Sequence, residues 1–209
     1  MRLQKIIYSA LLFGLTLKSF SATYYSRASG NWNASSTWST VACGGTAAGS
    51  SPSGIDIVNI CNGHTISVTA NVTTASVTIN SGGTLKTGTT GGGNNRALTI
   101  TSTFTIANGG IYIHNNTQLA ATTIFAGTES FAANSTIQVD KWSTTADSIC
   151  GGVNSNFGNL IFNWDTGLFL WKNSGLGTVR QVLGNLTTNA VCATYLDNGT
   201  ANINASIGN

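Results

Sequence analysis

The chain has 209 residues, of which 41% are apolar and only 7% charged. That apolar share supplies a core and excludes a disordered polar tract, and a single proline excludes a Pro-rich linker. Nine basic residues stand against six acidic ones; removal of a leader carrying Arg2, Lys5 and Lys18 leaves six of each, scattered, which excludes the basic face that nucleic acid or an anionic membrane requires.

Residues 1–22 read as a signal peptide. Arg2 and Lys5 form its positive start, residues 6–17 its apolar run, and Ser19-Phe20-Ser21-Ala22 its small-residue end. The apolar run is shorter than the ~20 residues of a spanning helix, and no later stretch qualifies, so no transmembrane segment is expected after the leader is removed.

Residues 23–64 differ in character from the remainder of the chain. Tyr24, Tyr25, Trp32 and Trp38 crowd the start of this segment, a Gly/Ser/Ala loop covers 44–54, and a short strand over 55–60 runs into Cys61 and an Asn62-Gly63 turn. The segment is expected to be an N-terminal cap over the open end of a repetitive array.

From Thr65 the chain falls into a rhythm that a loop excursion over 142–156 interrupts. Short stretches of alternating β-formers carry apolar pairs: Ile66/Val68, Val77/Ile79, Leu98/Ile100, Phe104/Ile106 and Ile111/Ile113. Between them stand Asn80-Ser81-Gly82-Gly83, a Gly/Asn run over 91–95 and Asn108-Gly109-Gly110, which suit corners. The pair Val77/Ile79 recurs as Leu98/Ile100 after about 21 residues, within the range of one coil. The reading is an all-β chain whose residues 65–209 form the rungs of a right-handed parallel β-helix (solenoid), truncated at the C-terminus. The same Asn-Gly turns also make hairpins, and an antiparallel β-sandwich is the alternative.

Four cysteines, Cys43, Cys61, Cys150 and Cys192, form an even set in an exported chain and point to two disulfides. Three pairings are open; Cys43–Cys61 and Cys150–Cys192 are favoured because each stays within one block. No Cys-x-x-Cys occurs and neither histidine stands at ligand spacing from a cysteine, so no metal or other cofactor is expected.

The segment with Ser29-Gly30-Asn31-Trp32, Thr37-Trp38-Ser39, the strand over 55–60 and Asn62-Gly63-His64-Thr65 resembles the N-terminal region of large secreted β-helix proteins of Bacteroidetes-type bacteria. The likeness covers the first half of the chain. Gly54-Ile55-Asp56 stands where that pattern has Gly-Asp. The resemblance implies a secreted or cell-surface, adhesin-like molecule.

No catalytic constellation stands out. Asp140 and Asp165 are a pair that stacking would have to bring together for acid–base hydrolysis, which needs carboxylates about 5–10 Å apart; capping of turns is the plainer role. His64 reads as a turn histidine bonded to backbone. His114 alternates with Ile111 and Ile113 and is expected to face solvent. Trp142, Trp164 and Trp171 are possible glycan contacts if exposed. Outward Thr and Ser ladders (Thr65, Ser67, Thr69, Ser76, Thr78, Thr99, Thr101 and Thr105) offer a surface for ordered water or ice, although an exposed β-former is the plainer role of Thr. The expected function is a non-enzymatic structural or adhesin-like segment, with extracellular glycans or cell surfaces as partners. A carbohydrate-binding or polysaccharide-cleaving module is the second reading and an ice-binding surface the third.

Overall fold

The computed structural model describes residues 20–88, 96–115, 128–141, 157–163, 169–172, 183–188 and 194–197. The leader assigned to residues 1–22 lies almost wholly outside them, as do Cys150 and Cys192.

The elements are β1 (Thr23–Ser26), β2 (Gly30–Asn31), a short 3-10 turn (Ser35–Thr37), β3 (Trp38–Ser39), β4 (Ile57–Ile60), β5 (Thr65–Val68), β6 (Val72–Ile79) and β7 (Thr84–Thr87). They continue with β8 (Leu98–Ile106), β9 (Ile111–Asn115), β10 (Thr128–Phe131), β11 (Thr136–Lys141), β12 (Asn159–Phe162), β13 (Phe169–Lys172), β14 (Leu186–Thr188) and β15 (Thr194–Asp197). Thr, Val and Ile fill them, as half-buried pleated surfaces demand.

Among the described residues the strands make a six-stranded sheet, β10-β8-β6-β4-β1-β3, and a seven-stranded sheet, β14-β12-β11-β9-β7-β5-β2. We call them the first and second sheets. A separate pair joins β13 to β15. From β4 to β11 the chain alternates between the two sheets, and each strand lies parallel to the one two elements earlier. Parallel neighbours need a crossover connection, and here the opposite sheet provides it.

This topology corrects the expected right-handed parallel β-helix. The strands fall into two open, mostly parallel sheets enclosing one core, not a closed or solenoid-like coil, and two such sheets fit a sandwich. The antiparallel alternative has the strand direction wrong, since among the described strands only β1 with β3 is antiparallel. The apparent recurrence after 21 residues is also replaced. Val77 pairs with Phe104 and Ile79 with Ile106, an offset of 27 in each case (104 − 77 and 106 − 79), while Leu98 and Ile100 lie beside Val72 and Thr74.

The core forms where the two inner faces meet. Val58, Val77 and Phe104 align in one row of the first sheet, with Ile60, Ile79, Ile106 and Phe131 in the next. Ile66, Leu85, Tyr112, Ile137 and Leu160 face them from the second sheet. Phe104 packs edge-on against Tyr112 at 5.6 Å and against Phe131 at 5.5 Å, the preferred aromatic geometry.

Strand β9 reverses its expected orientation. Tyr112 and His114 point into the core, and Ile111 and Ile113 outward. The turn decides this. Gly63, Gly82 and Gly109 all adopt φ near +75°, and the buried residue follows three positions later each time: Ile66, Leu85 and Tyr112. A one-residue slip would exchange the faces of the whole strand, so turn register outranks the larger apolar pull of two isoleucines.

Candidate functional site

The N-terminal segment supplies end strands to both sheets: β1 and β3 to the first, β2 to the second. Trp32 and Trp38 are fully buried and meet edge-to-face at 5.2 Å. Their indole N–H groups donate to the carbonyls of Pro52 (3.1 Å) and Trp32 (2.6 Å). Cys43 and Cys61 form a disulfide, which suits an oxidising environment. The residues that carried the resemblance are occupied in this packing. Ser29 Oγ accepts from the Thr65 amide at 2.9 Å, and a Cβ on Gly30 would stand 2.5 Å from Thr37 Oγ1.

His64 lies within the same segment. Its Nδ1 is 2.8 Å from Ser26 Oγ and 3.1 Å from the Ser26 carbonyl. Ser26 Oγ is buried and already accepts the Cys61 amide at 2.8 Å. These contacts pin β1 to the Cys61 turn.

Asp56 is likewise spent on structure. Its Oδ1 accepts the Ala22 amide and its Oδ2 the Ser53 amide, both at 2.9 Å, while its carbonyl takes the Thr74 hydroxyl at 2.6 Å. Asp140 sits on the outward face of the second sheet. It accepts from Gln138 Nε2 at 2.6 Å and Asn163 Nδ2 at 3.2 Å, and pairs with Lys86 at 3.8 Å. Lys86 and Asp140 stand on β7 and β11, so their contact spans β9 between them. Asp165, proposed as the partner of Asp140, lies outside the described residues.

Inside the core, His114 is buried rather than solvent-facing, with Nδ1 3.1 Å from the Tyr112 hydroxyl. Glu129 is closed off on the inner face of β10. Of the three tryptophans considered for glycans, Trp142 and Trp164 lie outside the described residues, and Trp171 is placed only as a backbone position in β13. No group of three or more His, Cys, Asp or Glu side chains suited to a metal occurs among the described residues.

What remains is the outward face of the first sheet. Its ladders align Thr23, Ile57, Ser76, Thr103 and Thr128 in one row, and Tyr25, Asn59, Thr78, Thr105 and Ser130 in the row beside it. None of the ten is charged. The outward face of the second sheet, by contrast, carries Lys86 and Asp140 and the two displaced isoleucines. Of this array Ser76, Thr78 and Thr105 were visible in the sequence; Thr103, Thr128 and Ser130 were not, and Thr65 and Ser67 of the expected ladder lie on β5 in the second sheet, because the rows depend on the offset of 27.

Comparison with family models, with curated proteins and with solved structures finds no match for this chain.

Proposed function

We propose that the chain is a non-enzymatic structural module of a secreted or cell-surface, adhesin-like molecule. The observation that carries this reading is the employment of its reactive groups. Asp56, His64 and Ser26 hold the N-terminal segment together, Asp140 is neutralised by Lys86, and Glu129 and His114 are closed in the core. The disulfide suits an exported chain, and among the described residues no helix is long and apolar enough to cross a membrane. The resemblance of Ser29–Trp32 and Asn62–Thr65 to the start of secreted surface proteins supports the same reading, with residues 23–64 as the cap.

Weak contacts repeated over many copies on a cell would supply useful avidity. The test compares adhesion of cells that display the chain with cells lacking it, on glycan-coated and protein-coated surfaces. Loss of adhesion on deletion is the expected result. Turnover of a polysaccharide or ester by the purified chain, abolished by His64→Ala or Asp140→Asn in a folded variant, would overturn it.

A further inference from the structure

The outward face of the first sheet goes beyond a scaffold role, because its chemistry is regular in two dimensions. Strands β6, β8 and β10 each present hydroxyls at alternate positions: Ser76 and Thr78, Thr103 and Thr105, Thr128 and Ser130. The residues between them, Val77, Phe104 and Glu129, are buried, which locks the alternation to the core. Among the described residues none of these six hydroxyls makes a hydrogen bond within the protein; Thr101, farther along β8, does so with the Thr74 carbonyl. Four of the six are threonines, whose branched Cβ restricts χ1 and holds hydroxyl and methyl in fixed places.

The spacing follows from sheet geometry. Neighbouring strands lie about 4.7–4.9 Å apart, and alternate residues along a strand are about 6.6 Å apart. Tetrahedral water with an O···O distance of about 2.75 Å has second neighbours about 4.5 Å apart and a layer repeat of about 7.3 Å. The two grids agree to within about a tenth over the width of three strands. We propose that Ser76, Thr78, Thr103, Thr105, Thr128 and Ser130 form a face that binds ice by holding a layer of lattice-ordered water.

Charge and chemistry select this occupant. The ice lattice is neutral and does not accommodate fixed ions, and this face is uncharged, whereas the opposite outward face carries Lys86 and Asp140. A nucleic acid or anionic lipid surface would require cations. A sugar site wants an aromatic platform with convergent polar groups; on the two rows the sole aromatic is Tyr25, at their β1 end. The adhesion reading does not depend on this proposal, and either can fail alone.

The test measures thermal hysteresis and inhibition of ice recrystallisation with the full chain, alongside its partitioning into a slowly grown ice hemisphere. The wild-type chain is expected to show hysteresis and to enter the ice. Thr105→Lys, which sets a charge in the middle of the array, is expected to abolish most of the effect. Thr136→Lys, on the outward face of the second sheet, is expected to retain it. Circular dichroism confirms that each variant is folded; should Thr105→Lys unfold, Thr78→Val removes one hydroxyl while keeping the branched shape and is expected to weaken hysteresis. A wild-type chain that shows no hysteresis and stays in the liquid overturns the proposal. So does hysteresis unaltered by folded Thr105→Lys, and so does a dimer or a glycan complex that Thr105→Lys disrupts and Thr136→Lys does not.

Discussion

Gly158 shows how tightly the turns stack. A Cβ built on it would meet the carbonyl oxygens of Ala132 and Ser135, both at 2.5 Å, and these are backbone atoms that cannot swing away. Gly158→Ala therefore forces the turn before β12 off that before β11, and overpacking of this kind costs about 1–3 kcal/mol. Gly49 has nothing within 4 Å of its Cβ position and no positive φ. Gly49→Ala should be neutral or stabilising by about 0.4–1 kcal/mol, since it restricts the unfolded chain. Urea titration of the two variants separates the cases; equal destabilisation would contradict the packing. At this scale His64 was legible as a turn residue bonded to backbone, and its Nδ1 lies 3.1 Å from the Ser26 carbonyl. His114 was not, because alternation within Ile111–Asn115 permits either face, and the deciding glycine stands outside the strand.

At the level of elements, the N-terminal segment shows what a motif can and cannot say. Ser29, Gly30, Trp32, Trp38 and His64 could be recognised as a group, but their purpose appears only in contact. They seat one aromatic cluster against the ends of both sheets. The Cys43–Cys61 bridge closes this unit across a separation of 18 residues. In the chain-entropy account a loop of that order contributes about 3 kcal/mol, by limiting the unfolded ensemble. Cys43→Ala with Cys61→Ala should lower stability by about that amount while the folded far-ultraviolet spectrum persists, because the tryptophan packing and the Ser26–His64 contact do not involve sulfur. A double variant as stable as the parent would show that the bridge contributes nothing. The favoured Cys150–Cys192 pairing lies outside the described residues and adds nothing to this estimate.

For the whole molecule, β-content and turn positions were readable from β-branched alternation and from Asn-Gly punctuation. The assembly was not, because period-two patterning fixes which face of a strand is buried and leaves its neighbour open. The loose recurrence of Val77/Ile79 as Leu98/Ile100 misplaces the neighbour: β8 is one long strand with a register shift, and its second half, Phe104 and Ile106, takes that place. That arrangement governs folding. Ladder partners are 19 residues apart between β4 and β6 (77 − 58) and 27 between β6 and β8 (104 − 77), and no tight hairpin links them. Loop closure must therefore precede any reward from pairing, which places such chains in the millisecond-to-second range. Rapid dilution from denaturant with the disulfide intact should give that slow phase, and a microsecond phase carrying the full signal change would refute the account. The same connectivity orders local stability. Val77 and Ile79 lie on β6, paired on both sides and fully buried, whereas β14 stands at the end of its sheet among the described strands. Amides of β6 should exchange with solvent only through global unfolding, and those of Leu186–Thr188 through local opening. Equal protection across both strands would mean that the sheets open as a single unit, and the edge would then carry no separate weakness.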